Sequence, residues 1–165
     1  MTTQLDLERL NRSGDADSGQ DVPTVARNVP RYSLTLSAAK GDPMDNYDIR
    51  YDDKYGQLTH IDLAAEGAAH DPWFNQTLTS VSDSVVRLAV IDGRLVDWHK
   101  HEHEDEFFLV LEGRLELEVE GREPFVLGPH QGVTIPRGTV HRPHALGRTV
   151  VLMVEPATVV PTGND

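Results

Sequence analysis

The chain contains no cysteine. No disulfide can hold the fold, and no thiolate can bind zinc. Any metal would have to be held by imidazole and carboxylate. Positive charge is also scarce, with 15 Lys and Arg against 27 Asp and Glu, a formal net charge of -12. Nucleic-acid phosphates need a basic surface, so the balance argues against nucleic acid, and against anionic membranes too. The same charge favours solubility. No apolar run approaches the roughly 20 residues needed to cross a bilayer. The opening MTTQLDLERLNRSGDADSGQ lacks the basic start and apolar stretch of a signal peptide. The expected location is therefore cytoplasmic. Repeats and long low-complexity tracts are missing as well. What is present, 165 residues, is enough for one compact domain with its own core.

Residues 1 to 30 read as a disordered segment. NRSGDADSGQDVP is rich in Ser, Gly and Asp and has no apolar periodicity. Residues 31 to 72 read as an N-terminal extension. Within it RYSLTLS, residues 31 to 37, alternates briefly like an edge strand. KGDPMDNYDIRYDDKYGQ, residues 40 to 57, is acidic and turn-rich, with room for one more edge strand.

The pattern changes over residues 73 to 165. SVVRLAVIDGRLVDWH places two apolar runs around Asp92-Gly93, a hairpin signal because both residues accept positive φ. Leu115, Leu117 and Val119 alternate with glutamates, as in a strand with one wet face. Gly113, Gly121 and the turn Pro136-Arg137-Gly138 punctuate the rest, before the run TVVLMVEP. Short strands with turn signals about every 8 to 12 residues predict an all-β sandwich or barrel. No long amphipathic helix follows residue 75.

One stretch carries the chemistry. WHKHEHEDEFFLVLEG, residues 98 to 113, holds three of the eight histidines: His99, His101 and His103. They are either a solvated charge run or part of a metal site. Side chains at i and i+2 of a strand share a face, so His99 and His101 can converge on one ion. Glu106 opens the next apolar run and shares a face there with Phe108 and Val110. A carboxylate heading an apolar inward face is expensive unless a cation compensates it. The neighbouring pair, His101 and His103, is the competing assignment. Arg87, inside VVRLAVI, either snorkels outward or faces inward as an anion anchor. Trp98 points away from the His99 face and reads as core packing.

The stretch resembles the first motif of the cupin superfamily. It reads Gly93, then RLVDW, then His99-Lys-His101, then EHED, then Glu106, then FFLVLE, then Gly113. Pairing His101 with His103 would put the opening glycine out of register. The second motif is matched by Pro136-Arg-Gly138-Thr-Val-His141. Two positions depart from it: His130 stands where a glycine is usual, and Ala145 where asparagine is common. The resemblance spans roughly residues 73 to 156. It implies a cupin-type double-stranded β-helix, a jelly-roll barrel. It also implies one divalent transition metal per chain on His99, His101, Glu106 and His141, with Fe2+ favoured over Mn2+, Ni2+, Co2+ or Zn2+. Glu106 could also act as a catalytic base.

The implied function is a metal-dependent enzyme on a small anionic or enolisable molecule, with an oxygenase slightly ahead of an isomerase, lyase or cyclase. A non-catalytic ligand- or metal-binding module is the alternative. Arg87, Phe108 and His144 are candidate substrate-binding residues. Cupin-like sheets often pair, so a homodimer contacting through residues 31 to 39 is expected.

Overall fold

The computed structural model describes residues 47–94 and 97–163. The disordered segment, the strand at 31–37 and the dimer contact expected from the sequence all lie outside the described residues. In chain order the elements are β1 (Asp48–Arg50), α1 (Leu63–Ala68), β2 (Phe74–Val81), β3 (Ser84–Arg94), β4 (Glu106–Glu112), β5 (Leu115–Val119), β6 (Phe125–Leu127), β7 (Gly132–Ile135) and β8 (His141–Pro156). The fold is mostly β-strand, as the turn spacing predicts. No helix among the described residues is long and apolar enough to cross a membrane.

The strands join in the order β1-β2-β3-β8-β4-β7, with β5 pairing both β8 and β6. β8 organises this arrangement because it serves two partners in succession. Its first part, His141 to Ala145, pairs with β5. Its second part lies between β3 and β4. Between the two parts the register against β3 jumps from Ile91↔Thr149 to Gly93↔Ala145. Gly93 and Gly147 take the positive φ that this irregularity requires, 85° and 92°.

This corrects the reading of Asp92-Gly93 as a hairpin. β3 runs through it unbroken to Arg94. The β2–β3 reversal instead falls at Ser82-Asp83, with Ser82 at φ 54°. A residue that accepts positive φ suits a bulge inside a strand as well as a turn between strands, so the dipeptide alone could not separate the two.

Alternation sorts the two faces. Glu106, Phe108 and Val110 of β4 are buried, as are Leu115, Leu117 and Val119 of β5. With Ala89, Ile91, Val151 and Met153 the apolar members of this set form the main core. Each fully buried leucine contributes roughly 1.5–3 kcal/mol by leaving water. The opposite face of β2, β3 and β8 carries a second cluster: Phe74, Leu78, Leu88, Val90 and Val150. Tyr55, Ile61 and Leu63 cover it from the segment before β2. That segment is fixed by α1, whose first turn is capped by the Asp62 carboxylate accepting from Ala65 N at 3.0 Å.

Candidate metal centre

His99, His101, Glu106 and His141 each offer one ligand atom, and the four atoms lie within 4.8 Å of one another. Backbone pairing brings the two motifs together. His99 N donates to His141 O at 3.1 Å, and His141 N donates back to His99 O at 2.9 Å. Gly138 N in the second motif's turn donates to His101 O at 2.7 Å. Arg137 N donates to the Asp105 carboxylate at 2.9 Å. Three of the four side chains are buried, and His99 is half-buried.

The hydrogen bonds fix which ring nitrogens face the centre. His141 Nδ1 lies 2.9 Å from Thr139 O, and His99 Nδ1 lies 3.1 Å from Asp97 O. A carbonyl only accepts, so Nδ1 carries the proton in each neutral ring and Nε2 presents a lone pair. His141 Nε2 is 3.3 Å and His101 Nε2 is 3.4 Å from Glu106 Oε2. Both nitrogens of His101 are buried without a hydrogen-bond partner. A cation among them would compensate lone pairs that converge on a carboxylate oxygen. This donor set therefore fits a divalent metal of the borderline kind that takes imidazole and carboxylate.

Electrostatics agree. The His99 imidazole is pushed down to about 4, first by burial and then by the nearby His141. It is therefore neutral, as a ligand must be. Burial alone would push the Glu106 carboxyl up. The neighbouring His101 and His141 outweigh it and hold the group well below the usual carboxylate range.

Phe108 is buried, with its ring centroid 6.2 Å from that of His141. Arg87 is buried on the inward side, donating from Nε to Asn75 Oδ1 at 2.9 Å and from Nη1 to Thr77 Oγ1 at 2.8 Å. It also lies 3.5 Å from Glu155 Oε1. His144 is not brought to this group. It sits half-buried on β8, 3.1 Å from Glu116, three positions beyond His141 and so on the opposite face. His103 is exposed in the turn. Trp98 differs from its expected core role. It is 46 % exposed, and the Arg142 guanidinium stacks 4.8 Å from its ring centroid.

Two neighbours of the site escaped the sequence reading. Glu155 is buried in the interior, and its carboxyl is pushed up to about 8, mainly by burial and then by the charge of Glu106. Its signal was available: in TVVLMVEP it alternates with Val151 and Met153, as Glu106 does with Phe108 and Val110. Tyr47 accepts from Asn75 Nδ2 at 3.0 Å and packs against the main core. Nothing in its acidic, turn-rich surroundings marked it.

The cupin domain family matches residues 87–155. The uncharacterized protein YdbB of Bacillus subtilis is 42% identical over 93 residues, covering 56% of this chain and 81% of that protein. A mannose-1-phosphate guanylyltransferase of Sinorhizobium fredii is 32% identical over 96 residues, covering 57% of this chain but only 19% of that protein. Among solved structures, a cupin-2 domain containing protein from Shewanella frigidimarina superposes with a TM-score of 0.54 at 26% identity, covering 58% of this chain and 93% of that one.

Proposed function

The chain belongs to the cupin family, and on that premise we propose that it is a metal-dependent enzyme acting on a small anionic or enolisable molecule, with iron as the favoured metal and an oxygenase slightly favoured over other reactions. The observation that supports the metal in this reading is the convergence of three imidazoles and one carboxylate with no proton donor among the facing ring nitrogens of His99 and His141. Three neutral imidazoles and one carboxylate would give a bound divalent ion a formal charge near +1, and such an ion would supply Lewis-acid or redox chemistry to a substrate's oxygens.

The chain's own groups support a small, partly apolar substrate. Phe108 gives the site an apolar wall beside His141. A cavity of about 360 Å³ reaches His99 and is lined by Asp97, Trp98, Lys100, Val140, Thr162 and Gly163, with the Lys100 ammonium paired to Glu102 at 2.5 Å. Arg87 adds buried positive charge on the inward face. To anchor a substrate anion it would have to exchange its contact with Asn75 or Thr77.

A second reading, an isomerase, lyase or cyclase, is favoured by Glu155. A second buried carboxyl beside Glu106 suits proton transfer without oxidation. The name of the Sinorhizobium relative makes sugar phosphates the first anionic class to assay. Anaerobic purification with metal analysis, followed by oxygen-uptake assays on iron-loaded protein, separates the readings. Substrate-dependent oxygen uptake supports the oxygenase. Turnover without oxygen uptake transfers the assignment to the second reading. A protein that retains no divalent ion would end both.

A further inference from the structure

We propose that the strap of residues 157–163, which follows β8, is part of the metal centre and that Gly163 is a positioning residue for His99. The proposal rests on reading His99, His101, Glu106 and His141 as the metal site. His99 is the least buried of the four and the only one outside a regular strand apart from His101. Its ring is steadied at one edge by the Asp97 carbonyl. The strap supplies a second restraint, at the ring's Cβ–Cδ2 side.

A Cβ built on Gly163 would lie 2.6 Å from His99 Cβ, 2.9 Å from Cδ2 and 3.0 Å from Cγ. The Gly163 backbone therefore packs closely against the Cβ and the Cγ–Cδ2 edge of His99, leaving no room there for a side chain. Its φ of +87° is also one that L residues rarely adopt.

The strap is tied down along its length. Ala157 N donates to Asp83 O at 3.0 Å. Thr158 Oγ1 donates to Glu104 Oε1 at 2.8 Å. Glu104 is itself buried in the turn between His101 and Glu106, and its other oxygen accepts from His103 N at 3.2 Å. Val159 and Pro161 are buried. Gly163 N closes a final turn onto Val160 O at 2.8 Å. The strap is thus anchored to the ligand-bearing segment twice, at Glu104 and over His99. Partners that orient a ligand imidazole affect metal affinity roughly 10- to 100-fold.

The test uses the full chain and Co2+ as the probe. Gly163→Ala should weaken Co2+ binding by about 10- to 100-fold. It should also shift the His99 imidazole ¹⁵N resonances of the metal-free protein. Val160→Ala, on the exposed side of the strap, should do neither. Thr158→Val, which cuts the tether but adds no bulk, should weaken Co2+ binding too, and it decides the matter if Gly163→Ala does not fold. Wild-type Co2+ affinity and unmoved His99 resonances in both strap variants would overturn the proposal. If the wild-type chain binds no Co2+, the metal reading fails. The ¹⁵N shifts of the metal-free variants then still decide whether the strap positions His99.

Discussion

Arg87 Nε lies 3.5 Å from Glu155 Oε1 with both side chains almost wholly buried, yet the N–H points to Asn75 Oδ1 at 2.9 Å. Glu155 Oε2 meets no hydrogen-bond donor. The guanidinium is thus held mainly by neutral acceptors, Asn75 and Thr77, while Glu155 is pushed towards its neutral form by burial and by Glu106. Arg87 and Glu155 extend the polar interior from Glu106 back to Asn75 and Tyr47.

The first prediction follows from that wiring. Arg87→Leu strands the acceptors on Asn75 and Thr77 in the interior. Each unpaired buried group costs about 1–3 kcal/mol. The variant should lose on the order of 3 kcal/mol of stability. Urea unfolding of the metal-free protein measures this. An unchanged midpoint would mean that Arg87 is not structurally committed and is free to serve substrate alone.

The second prediction concerns the ligand set. His99→Ala, His101→Ala and His141→Ala should each strip most of the metal, while His103→Ala should keep it. His103 is exposed in the turn, and the other three converge on Glu106. Elemental analysis of the four proteins decides. Metal lost from His103→Ala but kept by His99→Ala would shift the assignment by one strand repeat.

The candidate metal-site group was legible because its signal is local. His99 and His101 stand two apart, a spacing that puts both on one side of extended chain even though neither lies in a regular strand. Glu106 heads an apolar run, and His141 follows Pro136-Arg-Gly138 as the resemblance to the second motif implies. Glu155 carried the same mark as Glu106, a carboxylate in an alternating apolar run, but no nearby histidine drew attention to it. Trp98 was misplaced because period two gives only the face opposite His99, not whether anything covers that face. The packing of Gly163 on His99 joins segments far apart in the chain, and no local pattern encodes it. Asp92-Gly93 shows the converse, a strong local signal whose meaning depends on the distant partner strand.

The third prediction concerns metal and stability. An ion that binds the folded chain and not the unfolded one stabilises it by linkage, about 2.7 kcal/mol at a hundredfold excess over Kd. Here a bound ion would give a partner to the lone pairs gathered around Glu106. Calorimetry should therefore show a higher Tm with added divalent metal and a lower one after chelation. His141→Ala should show no such difference. A chelator-insensitive Tm in the wild-type chain would argue against this site.

The last prediction concerns acid. Glu66 on α1 is buried and bonded to Lys54 Nζ at 2.8 and 2.7 Å and to the Tyr55 hydroxyl. Burial alone would push its carboxyl up, but Lys54 and Tyr55 outweigh that and hold it below the usual carboxylate range. His70 also faces it, with Nε2 4.0 Å away, and Asp62 lies at the start of the same helix. A carboxyl whose folded pKa is depressed binds its proton more tightly in the unfolded chain. Its stabilising contribution is thus complete above the unfolded value, near 4.5, and is lost as pH falls through the lower folded value. Glu66→Gln cannot titrate. The stability gap between wild type and Glu66→Gln should be widest above about pH 5 and should shrink steadily in stronger acid. Lys54 is partly exposed, so added salt should narrow the gap at neutral pH as well. Denaturant titrations of both proteins across the acid range measure the gap directly. Parallel curves would mean that the Glu66 carboxylate contributes through its shape and hydrogen bonds rather than through its charge.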